Sequence, residues 1–422
     1  MNKPDKTNEL ETLDPKDHRS LGQKLDLFTF SDTIGKGLPL WTAKGAVVRR
    51  ELERFIVDEE INWGYQHVYT PDIAKLDLYK KSGHYPYYKD SMYAPIKIDD
   101  EKYMLRPMTC PHHFELFLRR PHSYRELPLR IAEMAKLYRY ELSGVLTGLI
   151  RVRSFCLADA HIICADDEQA KSEVALALDL IEHLADTFGL KLGKNYSYRL
   201  SLGDRADKEK YYDNPKAWDR SEQILREVLE ERGSKFVEAE NEAAFYGPKI
   251  DVQMTNIHGK EDTAFTVQYD FCMPDRFKLN YINKEGKKQK AVVIHRSSIG
   301  AVERIIAFLI EHYAGAFPVW LAPVQVSILP ISDKFLSEAE KIKKNLLDQG
   351  IRAELDTTSE SLGKKIRNAE SQKTPYMLIL GQKEIDQDLV SVRQRGEKDL
   401  GQMKLASFSA KIQEEITNKL IF

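Results

Sequence analysis

Cysteine is scarce in this chain: four among 422 residues, at Cys110, Cys156, Cys164 and Cys272. So few thiols exclude the disulfide-dense scaffolds of small secreted domains and point to a reducing, cytoplasmic setting. No uncharged apolar run approaches the roughly 18 residues that cross a bilayer, so no membrane is expected as a partner. The first twenty residues, MNKPDKTNELETLDPKDHRS, lack the apolar stretch of a secretory signal. A large excess of positive or negative residues is missing too. With 63 Lys+Arg against 65 Asp+Glu the net charge is −2, which excludes a globally basic nucleic-acid binder and leaves room for a local basic patch. There is no G-x-x-x-x-G-K-[ST] and no G-x-G-x-x-G, so neither a P-loop nor a Rossmann nucleotide site is expected. Internal repeats and low-complexity tracts are absent. What remains, 42% hydrophobic and 30% charged, is ordinary globular composition, and the length suits two or three domains.

Residues 1–16 are polar, contain Pro4 and Pro15, and read as a loose tail. Helical spacing of Val48, Leu52, Phe55 and Ile56 predicts a helix over 41–61. A short β-prone run, YQHVYT, follows between Gly64 and Pro71. LRIAEMA (129–135) and LIRVRSF (149–155) read as two strands around a long hairpin loop. A second helix is predicted over 169–188, with Gly189 as its stop signal. Strands are predicted at 249–254, 263–271 and 291–295. The first two alternate apolar and polar residues, as in an antiparallel sheet with one wetter face. Val302, Ile305, Ile306, Leu309 and Tyr313 mark one more helix. Residues 314–323, with two prolines and a glycine, read as a linker. Beyond it strands and helices alternate: strand 324–331, a helix ending near Gly350, strand 351–355, helix 362–373, strand 376–381. That rhythm implies a small α/β domain with a partly parallel sheet.

Two Cys/His clusters stand out. Cys110, His112 and His113 sit in MTCPHH, His161 and Cys164 in DAHIIC, and His295 follows a β-run. Cys sulfur and His nitrogen are zinc donors, and a catalytic zinc keeps three protein ligands with one position open. Spacing alone leaves both such a site and a four-ligand structural site that uses Cys164. Arginines in YRYE (138–141) and RVRSF (151–155) are planar forks suited to phosphate. Arg304 near the start of a helix adds a further anion site. Glu133, Glu141, Asp159 and Glu303 lie among these arginines, as salt-bridge partners or as ligands for amines and magnesium.

Together these segments resemble the class II aminoacyl-tRNA synthetases. GYQHVYTP (64–71) is similar to the family's first motif, YRYE with Arg151 and Phe155 to the second, and GAVER (300–304) to the third. DHRSLGQKLDLF, SGHYPYYKDSMY, RPMTCPHH, DAHIIC, AFYGPKID, VIHRSSIG, FPVWLAPVQV and TPYMLILGQKE resemble the threonyl-tRNA synthetase family within that class. The resemblance covers 17–422. It implies an α+β fold: an antiparallel sheet with flanking helices over 17–313, a linker over 314–323, and a small α/β anticodon-binding domain over 324–422. It implies a homodimer that joins threonine to ATP, releases pyrophosphate and transfers threonine to tRNA(Thr). One zinc would sit on Cys110, His161 and His295, which makes Cys164 a core cysteine, and Mg2+ would accompany ATP. Arg139 would hold the α-phosphate, Arg304 the γ-phosphate and Arg151 the pyrophosphate side. Glu141 would read the adenine amino group and Phe155 stack on its ring. Lys249 would meet the threonyl carboxylate or the α-phosphate. Met108, Asp159, Tyr246 and Gln268 would surround threonine, and His84 would accept a proton near the terminal ribose. Arg367, Glu384 and Arg393 would read the anticodon.

The sequence departs from the family's usual pattern at Leu157, Ala158, Thr263, Ala301 and Ser359. A short form without the family's N-terminal ubiquitin-like and editing domains is expected. Serine lacks only a methyl of threonine, worth about 10–200-fold discrimination, so mischarging with serine is expected of such a form. The rival reading is a catalytically inactive, synthetase-like RNA-binding or regulatory protein. It is disfavoured because Arg139, Lys249, Arg304 and the three zinc candidates are all present.

Overall fold

The strands richest in apolar residues lie at the centre of the fold. The structure, a computed structural model, describes residues 13–396 and 398–421. Most of the expected N-terminal tail, residues 1–12, lies outside them. The chain forms two compact units. One contains Phe30–Pro39 and Glu53–Ala307. The other contains Leu40–Leu52 with the described residues before Phe30 and after Ala307. Among the described residues no helix is long and apolar enough to cross a membrane.

The first unit is built on an eight-stranded sheet. Its spatial order is Phe236–Ala239, Tyr196–Ser201, Lys249–Thr255, Glu261–Asp270, Val292–Ala301, Ser154–Cys164, Leu129–Tyr138 and Gln66–His67. The six inner strands pair antiparallel, and each outer strand pairs parallel to its neighbour. The antiparallel sheet with flanking helices is thus the expected fold.

Several elements match the sequence reading closely. The helices Ala43–Asn62, Asp167–Thr187 and Val302–His312 fall within two residues of the expected bounds. The second is started by Asp166, whose side chain accepts from the Gln169 amide, and it buries Val174, Leu178, Ile181 and Leu184.

Two expectations need correction, and one element was missed. The run 149–155 is not a strand. The partner of Leu129–Tyr138 is Ser154–Cys164, one segment later. That strand is buried on both faces along most of its length, so it carries no alternation to read. The wetter face expected of 249–254 is also absent, since Ile250 to Met254 are all buried. The polar members of that run are satisfied inside. Asp251 accepts from the Ser201 hydroxyl at 2.8 Å and from Arg199 at 3.0 Å, and Gln253 donates to the Thr263 hydroxyl at 2.7 Å. Finally, helix Pro215–Glu231 was not anticipated. Asn214 caps it and Pro215 opens it, and it buries Trp218, Ile224, Leu225, Val228 and Leu229.

The second unit holds a five-stranded sheet in the order Ala353–Leu355, Val326–Pro330, Tyr376–Leu380, Val390–Gln394, Lys398–Met403. The first three strands run parallel and the last two antiparallel, the partly parallel sheet expected. Helices Leu336–Asp348, Leu362–Ser371 and Leu405–Thr417 accompany it, and Leu346, Tyr376, Phe408 and Ile412 fill its core. Residues 314–323 form neither strand nor helix, yet Phe317, Val319, Trp320 and Leu321 are buried.

One ion pair lies wholly inside the first unit. Arg296 reaches Glu60 at 2.5 Å, both side chains shielded from solvent. Ser298 donates to the same carboxylate at 2.6 Å, His67 lies 2.8 Å from its other oxygen, and Arg296 stacks over Tyr65. Burial pushes the Glu60 carboxyl up, but the Arg296 charge and the His67 and Ser298 hydrogen bonds outweigh it and hold it below the usual range. Removing one partner of such a pair strands a buried charge, at a cost of about 3–5 kcal/mol. Glu60→Gln is therefore expected to lower stability by that amount at neutral pH, measured by urea unfolding. Because the folded-state pKa is depressed, the contribution is present above the unfolded carboxyl's value and is lost as pH falls through the folded one. The gap between wild type and variant should close on acidification.

Candidate functional site

Strand register assembles the site. His295 lies directly opposite His161 on one side and opposite Gln268 on the other. Two residues along, Asp159 pairs with Ser297 and Glu133. Side chains two apart on a strand share a face, so these groups line one side of the sheet. All but Glu133 border a cavity of about 250 Å³ that also exposes Met108, Cys110, Arg139, Glu141, Arg151, Phe155, Tyr246 and Arg304.

At one wall the donor atoms of Cys110, His161 and His295 lie within 4.8 Å of one another, all buried. Cys110 opens the helix Cys110–Leu118, and the two histidines come from paired strands. Burial pushes the Cys110 thiol well up, with Asp159 and Asp270 adding to the shift. Burial pushes the His161 imidazole well down, with His295 and His113 adding. A neutral imidazole keeps a lone pair for coordination, and a buried thiol gives up its proton once a dication supplies the opposing charge. One sulfur and two nitrogens are a donor set that zinc takes with a fourth position left open, so the residues fit that ion. Cys164 is fully buried and outside the group, as a core cysteine should be.

Around this wall the expected threonine contacts gather. The Tyr246 ring stacks on His295, 4.8 Å between centroids and 17° from parallel. Its hydroxyl donates to Gln268 Oε1 at 2.7 Å, and Gln268 donates onward to Thr266 at 2.9 Å. Burial pushes the Asp159 carboxyl up. Met108 Sδ lies 3.7 Å from Arg139.

The opposite end is cationic. Arg139 lies 5.1 Å over the Phe155 ring. Arg304 donates to the Ile150 carbonyl at 3.1 Å and to the Thr263 carbonyl. Those acceptors are neutral. Burial and the neighbouring Arg139 lower its pKa, an arrangement that favours an anion beside it. Arg151 and Glu141 meet each other at 2.9 Å. Leu157 and Ala301, two of the departures, sit opposite each other and pack with Phe155. Thr263 lines the cavity.

Two expected residues stand back from the cavity. Lys249 faces Gln268 across the sheet, its ammonium paired with Asp251. His84 is fully buried, with Nδ1 2.8 Å from the Ser82 hydroxyl and Nε2 3.6 Å from Cys110 Sγ. Burial, with His295, Arg276 and Arg139, pushes it down to about 3. In the second unit Arg367 is exposed on helix Leu362–Ser371. Glu384 accepts from Ser391 at 2.9 Å, Gln402 at 2.6 Å and the Gly381 amide at 3.0 Å. Arg393 lies on strand Val390–Gln394, half-buried. Sequence reasoning missed Asp270, whose carboxylate holds His295 Nε2 at 2.6 Å. A lone acid closing an apolar strand, VQYDF, was the available signal.

Residues 93–313 match the tRNA synthetase class II core domain (G, H, P, S and T), and residues 325–415 match the anticodon binding domain. The chain is 49% identical over 411 residues to the threonine--tRNA ligase of Geobacillus kaustophilus, covering 97% of this chain and 62% of the relative. It is 50% identical over 409 residues to that of Geobacillus sp. strain WCH70, covering 97% and 63%. It thus spans less than two thirds of the length of these curated relatives. Among solved structures it is similar to the RNA binding domain of threonyl-tRNA synthetase from Cryptosporidium parvum Iowa II, with a TM-score of 0.88 and 33% identity, covering 94% of this chain and 98% of that one. The chain belongs to the class II tRNA synthetase family, in the threonyl-tRNA synthetase group.

Proposed function

We propose that this chain is a threonine–tRNA ligase, which activates threonine with ATP and passes it to the 3′ end of tRNA(Thr). The observation that carries the reading is the joining of two chemistries in one cavity: a Cys/His/His donor set at one wall and arginines with an aromatic ring at the other. One zinc per chain, held by Cys110, His161 and His295, supplies a Lewis acid able to take an amine and a hydroxyl together.

The chain's own residues do the positioning. Phe155 offers its face to adenine and Glu141 accepts from the adenine amino group, giving up its contact with Arg151. Arg151 turns to the pyrophosphate side. Arg139 and Arg304 flank the α- and γ-phosphates of ATP bound with Mg2+. Lys249 reaches from Asp251 toward the threonyl carboxylate or the α-phosphate. Met108, Asp159, Tyr246 and Gln268 close around the side chain, and His84 is the proton acceptor near the terminal ribose. Fixed cations in a site of low dielectric stabilise the charge that develops on in-line attack. An inactive RNA-binding relative would have no use for this set.

The same reading assigns catalysis to 17–313, a linker to 314–323 and anticodon reading to 324–422 through Arg367, Glu384 and Arg393. It makes the protein a cytoplasmic homodimer paired through residues 64–71, a segment that leaves Tyr69 93% exposed in the single chain.

Threonine-dependent ATP–pyrophosphate exchange tests the activity. Purified protein is expected to exchange with threonine, and His295→Ala, one ligand short, to lose that exchange. A fully active His295→Ala protein contradicts the reading. In the second unit, Arg367→Ala and Arg393→Ala are each expected to lower kcat/KM for tRNA charging by about 5–150-fold, the scale of a lost base contact. Exchange without tRNA should stay at the wild-type rate, and unchanged charging would remove these residues from anticodon reading.

A further inference from the structure

Behind the metal-ligand group runs a buried hydrogen-bond chain that the activation reaction does not use. His161 Nδ1 lies 2.8 Å from His113 Nδ1. His113 Nε2 lies 3.3 Å from Glu133 Oε2. Glu133 Oε1 accepts from Arg106 at 2.9 Å and from the Thr70 amide at 3.2 Å, and Oε2 accepts from the Thr70 hydroxyl at 2.7 Å. His113 is wholly shielded from solvent, His161 is 1% exposed and Glu133 2%.

The direction of every bond follows from the carboxylate at the end. An ionised carboxylate only accepts, so His113 Nε2 carries the proton and donates to Glu133. A neutral imidazole has one donor and one acceptor nitrogen, so His113 Nδ1 accepts. Its partner, His161 Nδ1, must then donate. That leaves His161 Nε2 with its lone pair free, on the ring edge away from His113. The chain of bonds selects one tautomer of one ligand. His295 is fixed in the opposite sense, with Nε2 against Asp270 at 2.6 Å. Asp270 is itself anchored by the Cys272 and Met273 amides at 2.9 and 2.8 Å.

We propose that His113 and Glu133 are positioning residues that hold His161 in its Nδ1–H tautomer and thereby set the zinc affinity of the Cys110–His161–His295 group. The proposal rests on the metal reading given above. Outer partners that orient a ligating histidine are typically worth about 10–100-fold in metal affinity. A packing role for His113 would make no demand on hydrogen-bond polarity, and this is where the two accounts part. A glutamine at 113 can accept from His161 through its carbonyl and donate to Glu133 through its amide, which reproduces the relay. A leucine fills similar space and can do neither.

Zinc dissociation constants from competition with a chromophoric chelator test this without reference to catalysis. Folding of the metal-free proteins is checked by circular dichroism and urea unfolding. His113→Leu is expected to bind zinc about 10–100-fold more weakly than wild type, and His113→Gln to recover most of that loss. Leucine binding zinc as tightly as histidine overturns the relay, as does glutamine binding as weakly as leucine. Glu133→Gln gives a second arm should His113→Leu fail to fold. Its carbonyl stays with the donors Arg106 and the Thr70 amide, so its amide turns on His113 Nε2 and reverses the polarity. Weaker zinc binding supports the relay, and unchanged binding overturns it. Wild-type protein that takes up no zinc overturns the metal reading itself. Wild type with one zinc and unaltered variants overturns the relay alone.

Discussion

The site depends on the register of six antiparallel strands. One row of paired residues crosses the sheet as Ile131, His161, His295, Gln268, Lys249 and Ser201. A parallel row, two residues along each strand, runs Glu133, Asp159, Ser297, Thr266, Asp251 and Arg199. His161, His295, Gln268, Asp159 and Lys249 stand in these rows, and Cys110 and Arg304 reach the same cavity from helices. A slip of one residue in any strand would turn its members to the other face. The apolar residues that alternate with them along the strands, such as Ile162, Ile294 and Val267, are fully buried and resist such a slip by the area they would expose. Packing on the far face thus fixes chemistry on the near one.

Charge is the cost of this arrangement, and its handling explains which groups are held and which are left poised. Buried ions persist when paired and hydrogen-bonded. Glu60 with Arg296 and Glu133 with Arg106 are such pairs. Around the cavity the balance is looser. Arg304 donates to main-chain carbonyls, and burial pushes up both the Asp159 carboxyl and the Cys110 thiol. Arg304 is a cation bonded to neutral groups, and Asp159 and Cys110 are groups whose charged forms burial disfavours; an anion, an amine and a dication are the partners that would complete them. Lys249 and Arg151 are instead paired, with Asp251 and Glu141 respectively.

Much of this was legible in the sequence because it rested on local chemistry. The amphipathic stripe of helix Asp167–Thr187 and the alternating elements of the second unit follow from periodicity. The motifs around Cys110, His161 and His295 pointed to three donors that the fold brings within 4.8 Å of one another. The rest was hidden where pairing across strands decides the outcome. Ser154–Cys164 is buried on both faces, so its strand character leaves no alternation, and the pairing slid one segment early. Asp251 and Gln253 looked like a wet face because a side chain's partner on the next strand cannot be read from its own. Asp270 and the relay through His113 were invisible for the same reason. Their meaning lies in contacts of 2.6–3.3 Å between residues that are 20 to 48 positions apart.

The central claim is that the Cys110–His161–His295 wall reads the hydroxyl of the bound amino acid. Calorimetric titration of the zinc-loaded protein with threonine and with valine tests it most directly, since the two differ by a hydroxyl in place of a methyl. A site built to bind a hydroxyl rejects the analogue that lacks it by about 10⁴-fold or more. Threonine should therefore give a clear binding isotherm and valine none at the same concentrations. Valine binding as tightly as threonine would contradict the account.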